Sequence, residues 1–95
     1  MLYSNKLLFM NINELIAIVK SKIEAEIVMQ DFKIEDKSFL HKNHKGNQEG
    51  MFHLKLIIKS EELKRLSKIK STKKIYNILD VELKEHIHSI QILLS

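Results

Sequence analysis

The sequence predicts a single small α+β domain in which helices cover one face of a three-stranded mixed sheet. Three observations predict this class: a capped helical repeat near the start, two adjacent segments with strand alternation, and a further strand pattern after a helical stretch. The chain of 95 residues is 44% hydrophobic, which suits one core, and it is shorter than the ~150 residues at which a second domain is expected. We expect residues 1–10 to be an N-terminal extension and residues 11–95 to form the domain.

The first helix has a complete start signal. Asn11 can cap the helix, and Glu14, three residues later, can return a hydrogen bond to the cap. The apolar residues that follow share one helical face: Ile12, Leu15, Ile16, Val19 and Ile23. This pattern predicts a helix from about residue 12 to about residue 25.

Two strands are predicted next, near residues 28–36 and 51–59. In the first segment Phe32 and Ile34 alternate with charged residues. In the second segment the alternating apolar residues are Phe52, Leu54, Leu56 and Ile58. Residues 38–50 hold both glycines of the chain and break the alternation, so they are predicted to be a loop. Strands that follow one another in this way pair as an antiparallel hairpin.

Two helices and a closing strand are predicted in the remainder: residues 61–66, 72–85 and 87–94. Ser60 is a suitable cap for the first helix, and Ser71 or Thr72 for the second. A strand that returns after a helical crossover can pair in parallel with an earlier strand. The predicted core includes strand and helix residues, namely Leu54, Leu56, Ile58, Ile75, Leu79, Leu83 and Ile90.

Composition excludes several classes of function. The chain has no cysteine, which rules out disulfides, a thiol nucleophile and thiolate metal ligands from this protein. Neither paired carboxylates nor a nucleophile beside a base can be recognised, so we expect neither enzyme activity nor a small-molecule substrate. No stretch approaches the ~18–20 apolar residues of a membrane span. We therefore predict a cytoplasmic protein without membrane contact.

Five histidines are the candidate metal ligands: His41, His44, His53, His86 and His88. Their spacing alone defines no site, because catalytic zinc needs three protein ligands and structural zinc about four. A surface or locally hydrogen-bonded role is the alternative for each of them. Position in the predicted elements indicates a structural role for His53 and a solvated ring for His86.

A basic segment, residues 63–74, joins the two predicted helices. Its cations are Lys64, Arg65, Lys68, Lys70, Lys73 and Lys74, with no acidic residue among them. Such a segment can follow a phosphate backbone, or it can be the solvated side of a helix pair. Because Arg65 is the only arginine, and arginine is the usual reader of guanine, we expect weak nucleic-acid binding without sequence preference.

The order of several short motifs resembles that of the BolA family. The motifs are Asp36–Ser38, the loop with His41, His53–Ser60, Ile75-Tyr76-x-x-Leu79 with Glu82-Leu83, and Ile87-His88-Ser89-Ile90. The resemblance covers roughly residues 12–94. It implies the family's KH-like fold of the class II type, with the order α-β-β-α-α-β, which agrees with the predicted elements.

Three stretches depart from the family pattern. The family's Phe-x-Gly, Arg-His-Arg and His-Ala-Leu are here Leu63-Lys64-Arg65, Ser71-Thr72-Lys73 and His88-Ser89-Ile90. The first two lie in the helix–turn–helix-like region, so they weaken the transfer of DNA binding from the family. The histidine positions are kept.

The resemblance also implies a partner and a cofactor. BolA-like proteins pair with monothiol glutaredoxins, and the mixed dimer holds a [2Fe–2S] cluster with ligands from the glutaredoxin cysteine and a glutathione thiol. On this chain the match implies His88 as the C-terminal ligand and His41 as the loop ligand, with His44 as the alternate. No cofactor is expected in the isolated chain. The alternative function is a nucleic-acid-binding transcriptional regulator that uses residues 63–74.

Overall fold

A computed structural model of the chain describes residues 10–38 and 51–95. The elements of this part are α1 (Ile12–Glu26), β1 (Asp31–Asp36), β2 (Phe52–Lys59), α2 (Glu61–Lys64), α3 (Lys68–Ile78), α4 (Asp80–Glu85) and β3 (Ile87–Leu94). The strands form one sheet in the order β1-β2-β3, with β1 antiparallel and β3 parallel to β2. The predicted α+β fold with a mixed three-stranded sheet is confirmed.

The core lies between the helices and one face of the sheet. Strand β2 contributes Leu54, Leu56 and Ile58, all buried, as the period of two requires. Helix α1 buries Leu15, Val19 and Ile23 against the same cluster, and helix α3 adds Ile75. The predicted core residues Leu83 and Ile90 are half-buried and pack against the edge of this cluster.

The predicted cap of α1 is present. Asn11 Oδ1 accepts a hydrogen bond from the Glu14 backbone N–H at 2.8 Å, and Asn11 Nδ2 donates to Glu14 Oε1 at 2.7 Å. Met10, directly before the cap, is buried in the core together with Leu15, which is the arrangement of a hydrophobic staple. Among the described helices, none has the length and apolar character needed to span a membrane.

The predicted single helix over residues 72–85 is wrong. Ser67, not Ser71 or Thr72, is the N-cap of α3, and its Oγ accepts a hydrogen bond from the Lys70 N–H at 3.1 Å. Ser71 lies inside the helix, where its buried Oγ donates to the carbonyl oxygen of Leu63 at 2.9 Å. The helix then ends at Ile78, because Leu79 leaves helical geometry and begins the separate helix α4.

The strand β1 begins three residues later than predicted. Val28 is exposed, and its backbone groups bind the start of α2 instead of a neighbouring strand. The Val28 N–H donates to Glu62 Oε1 at 3.2 Å, and Ser60 Oγ donates to the Val28 carbonyl at 2.7 Å. These contacts leave only Asp31–Asp36 in the β1–β2 ladder. The helix α2 is also shorter than predicted and ends at Lys64.

One ion pair connects the first helix with the last. Lys22 Nζ on α1 lies 2.6 Å from Glu82 Oε2 on α4. The Glu82 side chain is 6% exposed, whereas the Lys22 side chain is 40% exposed. The ammonium therefore reaches solvent, while the carboxylate depends on its partner.

Candidate functional site

His88 lies at an irregularity at the start of β3. Phe52 pairs with Ile87 and His53 pairs with Ser89, so the register between β2 and β3 shifts at this point. His88 is the additional residue, which is the geometry of a β-bulge, and its side chain is exposed. Because of this additional residue, Ile87 and Ile90 both face the core, whereas His88 faces solvent. His88 is thus placed at the surface by the pairing of two strands.

The ring of His53 lies beside that of His88. Their ring centroids are 5.0 Å apart, and the ring planes are inclined by 42°. His53 is 5% exposed, and its Nδ1 is hydrogen-bonded to Ser89 Oγ at 2.7 Å, with the donor set by the imidazole tautomer. The structural role predicted for His53 agrees with this bond. Its contact with His88 was not predicted, because the register that brings them together cannot be derived from either strand alone.

The residues that flank segment 39–50 lie beside these histidines. The His53 backbone N–H donates to Ser38 Oγ at 3.0 Å, and the Lys37 N–H donates to the His53 carbonyl at 2.7 Å. At the other end, Phe52 pairs with Ile87. The predicted loop ligands His41 and His44 lie outside the described residues. The structure places the flanking residues Ser38 and Phe52 next to His53 and His88.

His86 is buried, and the prediction of a solvated ring was wrong. It is 4% exposed and ends helix α4, where its carbonyl oxygen accepts a hydrogen bond from the Phe52 N–H at 2.8 Å. This bond joins the end of α4 to the start of β2. In the part of the chain that the structure describes, no three His, Asp or Glu side chains are grouped so as to hold a metal ion.

A cleft of about 370 Å³ extends from His53 and Ser89 along the sheet. Its other lining residues include Lys37, Lys55 and Gln91. Lys37 also binds Glu35, with 3.1 Å between the Lys37 Nζ and Glu35 Oε1 atoms. Hydrogen bonds from Lys37 and then from Lys33 hold the pKa of the Glu35 carboxyl below its usual value. The polar lining of the cleft beside His53 therefore includes two lysines and a glutamine.

The predicted basic segment, residues 63–74, covers the end of α2, a turn and the first part of α3. Five of its six cations are exposed: Lys64, Arg65, Lys68, Lys70 and Lys73. Within the described ranges, no carboxylate lies within 4 Å of these five. Lys74 differs, because its Nζ binds Glu62 Oε2 at 3.0 Å. This bond, followed by the one from the Val28 N–H, lowers the pKa of the Glu62 carboxyl.

Tyr76, which the sequence analysis named only within a family motif, accompanies these cations. Tyr76 on α3 is 44% exposed and lies one helical turn beyond Lys73. Ile69 is exposed on the same helix. The signal that could have identified Tyr76 is its distance of three residues from Lys73, since residues three apart are neighbours on a helix surface.

Comparison with known proteins identifies relatives for most of the chain. The family model described as BolA-like protein matches residues 23–95. The "DNA-binding transcriptional regulator BolA" of Haemophilus influenzae is 32% identical over 73 residues, which cover 77% of this chain and 68% of that protein. "SufE-like protein 1, chloroplastic/mitochondrial" of Arabidopsis thaliana is 29% identical over 79 residues. That match covers 78% of this chain but only 21% of the longer relative.

A solved structure has the same fold. The BolA domain of SufE1 from Arabidopsis thaliana superposes on this chain with a TM-score of 0.69 at 28% identity. The superposition covers 81% of this chain and 85% of that domain. The likeness therefore extends over most of the chain.

Proposed function

This chain belongs to the BolA family, and on that basis we propose that it is a non-enzymatic accessory protein for iron–sulfur clusters. In this proposal it forms a mixed dimer with a monothiol glutaredoxin in the cytoplasm, and the dimer holds a [2Fe–2S] cluster as its cargo. Cluster assembly, cluster transfer or iron signalling would proceed through this complex.

The observation that carries the proposal is the position of His88. Its exposed imidazole lies on a bulge at the end of the sheet, beside the ends of the segment that contains His41 and His44. One cluster at this end of the molecule could be reached from both parts of the chain. We assign His88 as the first ligand and His41 as the second, with His44 as the alternate.

The donor set of the chain fits this role. The chain has no cysteine, so any ligands that it contributes to iron are imidazoles or carboxylates. Thiolates would come from the glutaredoxin and from glutathione. Imidazole ligands raise the reduction potential of a [2Fe–2S] centre, as they do in Rieske centres. They must also be neutral to bind metal, so the complex should be sensitive to acid.

A spectroscopic titration tests the proposal. The protein is added to a cluster-loaded monothiol glutaredoxin with glutathione, and the visible circular dichroism is recorded. We expect a new spectrum from the mixed dimer. His88→Ala should abolish that spectrum or return it to that of the glutaredoxin homodimer, whereas His41→Ala should only weaken it and His44→Ala should have a smaller effect.

The control is Asn77→Ala, an exposed position on α3, a helix that the proposed cluster site does not use. His86→Ala is not a suitable control, because His86 is buried and its loss would affect folding. An unchanged spectrum and cluster lifetime with His88→Ala would contradict the assignment of this function.

The exposed cations favour a second function, weak binding of nucleic acid. Five cations of the basic segment have no carboxylate neighbour in the described part of the chain. The relative from Haemophilus influenzae carries the name of a DNA-binding regulator. If the segment contacts phosphates, the logarithm of the DNA affinity should fall against log salt with a slope of about −0.9 per contact.

Two double variants of equal charge distinguish DNA binding by this segment from a general effect of the net charge of +4. The double change Lys70→Gln and Lys73→Gln should flatten the salt slope by about two contacts. Lys20→Gln with Lys59→Gln removes the same charge from exposed positions outside the segment and should leave most of the slope. Equal slopes in the two double variants, or sequence-selective binding at physiological salt, would contradict this function.

A further inference from the structure

Ser89 is a feature of this chain that the proposed function does not use. It follows His88 directly in β3. Its hydroxyl is hydrogen-bonded to His53 Nδ1 at 2.7 Å. An alanine at this position could not make that bond, so the serine adds a polar link between β3 and β2.

His53 is held by its backbone as well as by its ring. The Ser38 hydroxyl accepts from its N–H at 3.0 Å, and its carbonyl accepts from the Lys37 N–H at 2.7 Å. Because its ring is 5% exposed and its Nδ1 is bound to Ser89, His53 has little freedom of rotation. Its ring is therefore a fixed surface at the sheet end.

The exposed ring of His88 lies against this surface, with 5.0 Å between the two ring centroids. An exposed histidine without such a neighbour distributes among several rotamers. Binding to a ligand then selects one rotamer, and the lost side-chain entropy weakens the affinity. A fixed neighbouring ring removes some of those rotamers before the ligand arrives. The bulge sets where the His88 backbone lies, and the His53 ring limits where the imidazole points.

We infer that His53 and Ser89 are positioning residues for His88. Ser89 orients the His53 ring, and that ring orients the His88 imidazole for a metal-bearing partner. The inference deepens the proposed function and rests on His88 as the cluster ligand. Neither residue needs to touch the metal for this effect, since residues that orient a ligand typically change metal affinity about 10–100-fold when they are replaced.

The experiment compares the hydroxyl with its absence at position 89. Ser89→Ala removes the hydroxyl, and Ser89→Thr keeps it. A second pair, Ser89→Thr against Ser89→Val, differs only by a hydroxyl and a methyl group of similar size, and both residues suit a strand. This second pair decides the question even if Ser89→Ala folds poorly. His53→Phe keeps a ring beside His88 but removes the nitrogen that binds Ser89.

Two readouts are used. In the isolated protein, three-bond NMR couplings report the χ1 rotamers of His88. With the glutaredoxin and glutathione, the lifetime of the mixed cluster is followed by visible circular dichroism. Loss of the hydroxyl should broaden the His88 rotamer distribution and shorten the cluster lifetime by about 10-fold. Ser89→Thr should retain both properties of the original protein, and Asn77→Ala should change neither.

The two proposals can fail separately. If Ser89→Val matches Ser89→Thr in both readouts while His88→Ala destroys the mixed cluster, the positioning role is wrong and the cluster function remains. If His88→Ala leaves the cluster unchanged, the cluster function is wrong, and the rotamer couplings alone then decide whether Ser89 and His53 orient His88. A broad His88 distribution in the original protein would also refute the positioning role.

Discussion

Replacement of Lys22 by methionine tests how much the ion pair between α1 and α4 contributes to stability. Methionine keeps most of the length of the side chain and removes the ammonium that lies 2.6 Å from Glu82 Oε2. Glu82 is 6% exposed, so its charge would be left with little access to water. A buried carboxylate without a partner destabilises the folded state.

The expected magnitude follows from the unequal exposure of the two partners. Breaking a fully buried pair costs about 3–5 kcal/mol, whereas an exposed pair contributes about 0.2–1 kcal/mol. Since Lys22 is 40% exposed and Glu82 is nearly buried, we expect Lys22→Met to lower the free energy of unfolding by about 2 kcal/mol. For a domain of this size, that loss lowers Tm by about 8–16 °C.

Urea denaturation followed by far-UV circular dichroism gives the free energy, and a double-mutant cycle isolates the pair. Glu82→Gln in the Lys22→Met background should recover most of the loss, because it removes the uncompensated charge. Lys84→Met is the matched control: its partner Asp80, 3.2 Å away on the same helix, is 62% exposed. It should cost less than about 0.5 kcal/mol. An equal cost for Lys22→Met and Lys84→Met would refute the reasoning.

Two further predictions concern the core and the response to acid. Leu56→Ala should lower the free energy of unfolding by about 2–5 kcal/mol, because Leu56 is fully buried on the core face of β2. Ile57→Ala, on the half-buried opposite face, should lower it clearly less in the same denaturation experiment. Equal losses in the two variants would contradict the strand register. The pKa of Glu62 lies below its ordinary 4.5, first because of the hydrogen bond from Lys74 and then because of the one from the Val28 N–H. The ionised form of Glu62 therefore stabilises the fold above pH 4.5. This contribution is lost as the pH falls through the lowered pKa. Glu62→Gln should therefore reduce the fall in Tm between pH 5 and lower pH, and an unchanged acid profile would show that these contacts do not persist in solution.

The local elements were largely determined by the sequence. The cap at Asn11, the apolar face that follows it and the alternation in Phe52–Lys59 depend on residues close together in the chain. Such signals act through backbone geometry and side-chain period, which neighbouring residues share.

Helix α3 shows where such signals are ambiguous. Three hydroxyl residues were available as caps, and Ser67 is used because the buried Ser71 instead binds the Leu63 carbonyl.

For the candidate site, the sequence determined that the chain offers no thiolate and that His88 lies at the start of the last strand. The tertiary structure decided which side chains surround it. His86 ends helix α4 and is buried, and the pairing of β2 with β3 brings His53 beside His88. The bond between Ser89 and His53 joins residues 36 positions apart. Contacts of this kind depend on the pairing of distant strands, and the period of each strand alone does not specify that register.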